Sequence, residues 1–370
     1  MGSKLSLLES GLGKILLREA ANADRFVDLF SGTGRVAWYV AEAVDVPVLA
    51  VDLQYYAVVL AGTVIERDHV IKESQVVDNW LLSATRVIES TAMEADMLMS
   101  VSTKAQVLEA RRLCKRTPGG PIWTAYGGHY YSPLQALIFD VLLRDLPPSP
   151  RYLTQFCKAL LIVAASRCAA APGHTAQPFQ PTKSAMPHIR TSWQRDPISI
   201  IRQLSPSLGR RHALRRGNAK VADANELAGA LTEGDLVFLD PPYSSVHYSR
   251  FYHVLETIAR GECGPVSGAG RYPPAAERPR SAYSIKSLAG TAMVQLLRRL
   301  SVNRCRVILT FPSGRASNGI EGHELAAYAR RWYTVSQRVS LSEFSTLGGN
   351  GRNRSARRTV GEMVAVMHPL

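Results

Sequence analysis

Residues 25–52 constrain the fold more than any other stretch of this chain. A short apolar run at 25–30 ends in the turn Ser31-Gly32-Thr33-Gly34. Residues 36–44 then carry helical spacing, and a second apolar, β-branched run at 46–51 closes on Asp52. Strand, glycine turn, helix, strand and acid in that order open an α/β fold built on a doubly wound, mostly parallel sheet. The glycines let the backbone turn sharply from strand into helix, so that the helix packs back on the sheet.

The alternation stops at about residue 66 and resumes only after residue 210. Between them helical periodicity dominates, at 87–112, 133–146 and 152–170. An aromatic, glycine-bearing loop lies at 123–131, and a Pro-, His- and Thr-rich stretch at 171–197 reads as loop. Strand patterns return at 219–222, 236–239 and 306–310. The tail adds 333–341 and 359–367 around a Gly- and Arg-rich segment at 345–358. The economical arrangement is one α/β domain in two parts, 1–65 and 211–370, carrying an inserted, mainly helical region at 66–210.

Charge narrows the class of partner. Lys and Arg outnumber Asp and Glu by 44 to 30, a formal charge of +14. Such a surplus favours a polyanion, with a generally basic soluble surface as the plain alternative. No basic amphipathic helix and no run of about 18 apolar residues is present, which argues against a membrane partner. With no apolar signal core before Arg18, a cytoplasmic protein is expected. Cys114, Cys157, Cys168, Cys263 and Cys305 stand far apart, so neither a zinc site nor a disulfide framework is expected. Their odd number fits a reducing compartment.

Two features carry chemistry. Asp28-Leu29-Phe30-Ser31-Gly32-Thr33-Gly34 sits where the first strand ends, and the N–H groups and positive dipole end of the next helix favour an anionic group there. Ala37 stands three residues past Gly34, so the glycine pattern of a dinucleotide site is incomplete. The amino-acid end of S-adenosylmethionine suits the turn as well as a nucleotide does, and a turn without ligand is the plain alternative. Asp52 is placed to accept both ribose hydroxyls of a bound nucleoside. The second feature, Asp240-Pro241-Pro242-Tyr243, follows the apolar run 235–239. Two prolines stiffen the turn and remove two backbone donors, leaving nearby carbonyls to accept from elsewhere. A carboxylate, such a carbonyl and an aromatic ring suit a planar aromatic amine. Asp240 and the Asp240 or Pro241 carbonyl would take the two amine hydrogens, and Tyr243 would stack on the ring. A stiff turn with a buried Tyr is the alternative.

With Phe30-x-Gly32-x-Gly34 followed by Asp240-Pro241-Pro242-Tyr243, the chain resembles the Dam-like (alpha-group) family of adenine-specific DNA N6-methyltransferases. The resemblance runs through most of the chain. Gly2-Ser3-Lys4 is similar to the family's N-terminal motif, although Met1 stands where an aromatic residue is frequent. Val221-Ala222-Asp223-Ala224 resembles the motif whose acid lies by the cofactor's adenine. Tyr126 to Ser132, Gln135-Ala136, Tyr248 to His253 and Ser345 to Asn350 resemble segments of one subgroup. The inserted region, a candidate target-recognition domain, matches no recognition signature, so no DNA sequence is read from it.

The resemblance implies a Rossmann-like methyltransferase sheet and S-adenosyl-L-methionine as cofactor, with no metal. Lys4, Asp28, Phe30, Ser31, Gly32, Gly34, Asp52, Asp223 and Asp240 would hold the cofactor. Asp240, Pro241, Pro242 and Tyr243 would form the catalytic loop. The implied substrate is adenine flipped out of double-stranded DNA, methylated directly on N6 with no covalent enzyme intermediate. DNA contacts are expected from Arg250, Tyr252 and His253, with His253 equally suited to a satisfied helix position. The loop arginines Arg352, Arg354, Arg357 and Arg358 are preferred over the cluster Arg210, Arg211, Arg215 and Arg216. Methylases of RNA or of cytosine N4 share most of this machinery, and a non-catalytic DNA-binding component on the same scaffold is a rival of another class. An Asp at the first catalytic position favours adenine, and the charge favours nucleic acid over protein. A cognate restriction or defence system is compatible with the reading.

Overall fold

The computed structural model describes residues 7–72, 74–90, 101–345 and 357–370. The seven strands among them are β1 (Arg25–Asp28), β2 (Val48–Asp52), β3 (Asn218–Val221), β4 (Asp235–Leu239), β5 (Arg306–Pro312), β6 (Tyr333–Ser345) and β7 (Arg357–Pro369). They form one sheet in the order β3-β2-β1-β4-β5-β7-β6. β1 to β5 pair in parallel, and β7 lies antiparallel between β5 and β6. This is the doubly wound, Rossmann-like sheet that the pattern at 25–52 calls for.

β1, β2, β4 and β5 are short and largely apolar because both faces are covered, whereas β3 at the sheet's edge is mostly exposed. Alternate residues serve different cores, as the twofold strand period requires. Val27, Val51, Val237, Leu239, Val307 and Leu309 face the helices Ala289–Val302 and Gly322–Ala329. Phe26, Val48, Ala50, Leu236, Phe238 and Ile308 face the helices Gly13–Ala20 and Arg35–Ala43. All five residues of β4 are buried. Each fully buried Val, Leu or Phe contributes about 1.5–3 kcal/mol.

The chain divides into two compact units. The first comprises Met1–His69, His212–Tyr248 and Arg280–Leu370, and holds the sheet. The second comprises Val70–Arg211 and Ser249–Pro279. A single insertion over 66–210 does not include that later piece, the body of the helix Tyr248–Arg260 and the loop after it. The second unit is mainly helical, with Ser74–Ser90, Lys104–Arg116, Pro121–Tyr126, Pro133–Arg144, Arg151–Cys168 and Pro197–Arg210 as its principal helices. The stretch expected as loop at 171–197 contains one further helix, Met186–Trp193, with a proline in its first turn. Ile189 and Trp193 of that helix are buried against Val107, Ala110 and Ala170, which accounts for its stability. No helix among the described residues is long and apolar enough to cross a membrane.

Gly34 shows how tightly the first unit is built around its glycine turn. Its φ is +76°, and a Cβ there would lie 2.7 Å from the Cα of Ala61 on the helix Tyr55–Ile65. Trp38, one turn into the helix that Gly34 starts, donates its Nε1–H to the Ala61 carbonyl at 3.0 Å. Gly34→Ala therefore meets both a left-handed backbone and a backbone clash, and should cost roughly 2–4 kcal/mol. The measurement is the urea midpoint at unchanged m-value; an unshifted midpoint would show that the two segments separate freely.

Candidate active site

All five parallel strands end at one edge of the sheet. The β1–β4 register pairs Asp28 with Phe238, and the β2–β3 register pairs Asp52 with Val221. The glycine turn, Asp52, Asp223 and the Asp-Pro-Pro-Tyr loop therefore emerge along the carboxyl edge. Strand order reverses between β1 and β4, and in open α/β sheets ligands bind in the crevice at that reversal. The turn after β1 and the loop after β4 flank it.

The glycine turn is held from three sides. Asp28 is buried, and its Oδ1 accepts the N–H of Phe30 at 3.3 Å. The N–H of Ser31 donates to the carbonyl of Val51 at 2.9 Å, which fastens the turn to β2. The N–H groups of Gly32 and Gln54 donate to Oδ2 and Oδ1 of Asp52, each at 2.9 Å. Asp52 thus shapes the turn through both carboxylate oxygens. Gly32 has φ +51°, which a side chain would oppose, and Gly34 brings no side chain to cap the helix that follows it. Two buried polar atoms here, Ser31 Oγ and Gln54 Oε1, have no hydrogen-bond partner among the described residues. Buried polar atoms are nearly always paired. An orphaned hydroxyl at a helix N-terminus fits a ligand that brings an ammonium or carboxylate group, so the residues present fit the amino-acid end of S-adenosylmethionine. On the far side of the turn the Phe30 ring meets Tyr283 edge-on, with centroids 5.0 Å apart. Asp223 caps the short helix Ala224–Leu227, accepting the N–H of Asn225 at 2.8 Å.

Asp240 and Tyr243 are both half-buried, at the surface of the edge and not sealed in the core. Thr310, fully buried on β5, donates its hydroxyl to Asp240 Oδ1 at 3.0 Å. Pro241 is buried, and Tyr243 packs against the core that includes Leu239 and Tyr283. The carbonyls of Pro242 and Tyr243 are taken up internally. Asn318 Nδ2 donates to Pro242 O at 3.0 Å, and Asn318 N and Ser317 Oγ donate to Tyr243 O at 3.3 and 3.2 Å. These two carbonyls follow the pair at 240 and 241, where an amine is expected to meet the backbone.

The remaining expected residues divide. Lys4, Arg352 and Arg354 lie outside the described residues. Arg357 and Arg358 lie in β7, paired through their backbones with Ser345 and Phe344 of β6. Arg215 and Arg216 are engaged at the surface by Asp45 at 2.9 Å and Asp68 at 3.1 Å. Arg250, Tyr252 and His253 belong to the second unit. Arg250 is exposed, and its Nε–H donates to the Tyr272 hydroxyl at 3.0 Å. Tyr252 and His253 are buried, and His253 lines a cavity together with Ser249, Glu256 and Thr257. His253 is ringed by Tyr126, Tyr130 and Tyr272 at centroid distances of 5.8, 5.9 and 4.9 Å. Burial pushes its pKa down to about 4, against the carbonyls of Arg250 and Gly270 that favour the charged ring. The fold thus joins the aromatic loop 126–131 to the segment 248–253, two motifs that the sequence shows only as separate.

Sequence comparison relates the chain to known methyltransferases. A family model described as D12 class N6 adenine-specific DNA methyltransferase matches residues 1–89 and 172–305. Modification methylase StsI of Streptococcus sanguinis is 27% identical over 142 residues, 38% of this chain and 20% of that protein. Modification methylase LlaI of Lactococcus lactis subsp. lactis is 35% identical over 100 residues, 27% of this chain and 15% of that protein. The chain therefore spans a fifth or less of the length of these relatives. The solved rRNA methyltransferase aviRa from Streptomyces viridochromogenes aligns with 97% of this chain and 83% of its own at 12% identity, with a TM-score of 0.26, too loose a likeness to bear on the site. The matched segments cover more than half of the chain and include both the glycine turn with Asp52 and the Asp223 and Asp240–Tyr243 segments, and the chain belongs to the D12 class N6 adenine-specific DNA methyltransferase family.

Proposed function

We propose that this chain transfers a methyl group from S-adenosylmethionine to N6 of an adenine flipped out of double-stranded DNA. The observation that carries the proposal is the placement of the glycine turn and the Asp-Pro-Pro-Tyr loop on paired strands β1 and β4, at one edge and on either side of the strand reversal. Asp28, Phe30, Ser31, Gly32, Gly34, Asp52 and Asp223, with Lys4, would hold the cofactor. When bound, it supplies an electrophilic methyl group on a sulfonium sulfur.

The amine of adenine is a weak nucleophile because its lone pair is delocalised into the ring. Asp240 and the carbonyl at 240 or 241 would accept its two hydrogens and favour a pyramidal nitrogen, freeing the lone pair for in-line attack. Thr310 holds Oδ1 of Asp240, so the carboxylate meets the amine in a fixed orientation. Such pre-set geometry lowers the cost of bringing two reactants together. Asp240 takes the proton only once the nitrogen has become acidic by gaining carbon, so it need not be a strong base. Tyr243 would stack on the extruded base, offsetting part of the few kcal/mol lost when the base leaves the duplex. The basic surface would neutralise phosphates.

The two relatives carry the name modification methylase. For this chain a companion restriction or defence system and a cytoplasmic site of action are parts of the proposal. Mapping modified bases in DNA from cells expressing the chain tests the reaction and reads out the recognition sequence. N6-methyladenine at a fixed motif is the expected result, whereas methyl groups confined to RNA or to cytosine would reject the adenine assignment.

Asp240→Ala should reduce transfer by roughly 10²–10³-fold or more while cofactor affinity stays within a few-fold. Retained turnover would remove Asp240 from the chemistry. Thr310→Val keeps the side-chain volume and deletes the donor, so kcat should fall about tenfold, equivalent to one hydrogen bond to a charged group. Replacing Arg354 and Arg358 by Ala should weaken DNA binding and lower the salt slope by about one for each phosphate left without its arginine. An unchanged slope would take the segment 345–358 out of the interface.

A further inference from the structure

The Asp-Pro-Pro-Tyr loop has an unusual mechanical problem. Residues 240–247 form neither helix nor strand, and Pro241 and Pro242 have no N–H with which to tie themselves down. A loop that must hold a carboxylate and a ring against a small planar group needs its rigidity from elsewhere.

The segment after β5 supplies it. Asn318 is fully buried in the loop between β5 and the helix Gly322–Ala329. Both hydrogens of its amide nitrogen are used, one on Pro242 O and one on Tyr283 O, each at 3.0 Å. Its backbone N–H donates to Tyr243 O at 3.3 Å. Its own Oδ1 accepts the N–H of Ile320 at 3.3 Å, which fixes the amide plane. Ser317 beside it is exposed; its hydroxyl donates to Tyr243 O at 3.2 Å and accepts the N–H of Ser245 at 3.1 Å. Tyr283, the second partner of the amide, lies edge-on to Phe30 of the glycine turn and donates its hydroxyl to Asn225 at 2.5 Å.

Resting on the reaction proposed above, we infer that Asn318 is a positioning residue for the catalytic loop, using one amide group to pin Pro242 and to tie that loop to the Tyr283 support beneath Phe30. Fully buried, it acts through the loop that it holds. A side chain that only filled space could be replaced by any isostere, whereas this one acts through its two donated hydrogen bonds.

Asn318→Asp separates the two possibilities. It preserves volume and the acceptor for Ile320 but turns the shared donor into an acceptor facing two carbonyls. Asn318→Ala removes both, and Ser317→Ala, at an exposed position, probes the same clamp with little risk to folding. The readouts are amide exchange of the peptide covering 243–248, steady-state kinetics on DNA, and cofactor affinity. In Asn318→Asp and Asn318→Ala we expect exchange in 243–248 to rise about tenfold and kcat to fall 10–100-fold, with cofactor affinity within threefold and exchange in 29–36 unchanged. Ser317→Ala should show several-fold faster exchange in the same peptide at an unchanged melting temperature. Wild-type exchange in 243–248 for Ser317→Ala and Asn318→Asp would overturn the inference, as would restoration of wild-type kinetics by Asp. If either Asn318 variant fails to fold, Ser317→Ala decides. If the wild-type chain methylates no DNA, the proposed reaction fails, and the exchange of 243–248 still decides the role of Asn318.

Discussion

The register between β1 and β4 is the constraint on which the rest of the site depends. These strands are 210 residues apart at their amino ends, where Arg25 and Asp235 form a two-pronged ion pair at 2.7 and 2.8 Å. Asp235 is almost fully buried and also accepts the N–H of Thr232 at 2.8 Å. A carboxylate removed from water in this way must be fully engaged, and the parallel pairing that satisfies it sets Arg25 opposite Asp235. A short parallel strand has a fixed rise per residue, so the choice made at the amino end decides what meets at the carboxyl end. There Asp28 lies opposite Phe238, two residues short of Asp240. A slip of one residue would turn Val237 and Leu239 to the opposite core and carry Asp240 to the other face of the sheet.

Around that axis the two halves of the site are built by different means. The glycine turn is defined by its own backbone: two glycines at positive φ, and a carboxylate, Asp52, that gathers N–H groups from the turn and from Gln54. Such a structure is preformed and leaves little freedom to lose when a ligand arrives. The Asp-Pro-Pro-Tyr loop takes its shape from outside, with Thr310 on its carboxylate and Asn318 and Ser317 on its carbonyls. The groups that fix it come from residues about 70 positions later in the chain. One half of the site is therefore robust to changes elsewhere, and the other is sensitive to the β5 edge.

The same distinction explains what can be read from sequence. β1, β2, β4 and β5 are legible because each is a compact apolar run closed by a turn or an acid, and the glycine turn because its conformation demands its residues. β3 is visible at 219–222 although it is mostly exposed, since Ala219 and Val221 alternate with Lys220. The antiparallel insertion of β7 between β5 and β6 leaves no local trace: the tail strands are visible, their order is not. Tyr252 and His253 lie in a segment that resembles one subgroup of the family, yet aromatic rings and imidazoles suit a packed interior equally well. Asn318 is hidden for a plainer reason. Ser317-Asn318-Gly319 has the composition of any tight turn, and nothing nearby signals that one amide reaches Pro242 and Tyr283.

Charge is also divided unevenly between the units. Lys and Arg exceed Asp and Glu by nine in the second unit, out of fourteen for the whole chain. The residues between the two segments matched by the family model, 90–171, fall within that unit. Phosphate neutralisation is indifferent to sequence, so charge alone would give affinity without selection. Selection requires groups that reach base edges, and the second unit carries no part of the register between β1 and β4. The hydrogen bonds that fix the candidate site, from Arg25–Asp235 to Asn318, all lie within the first unit, so the geometry of that site does not draw on the charge of the second.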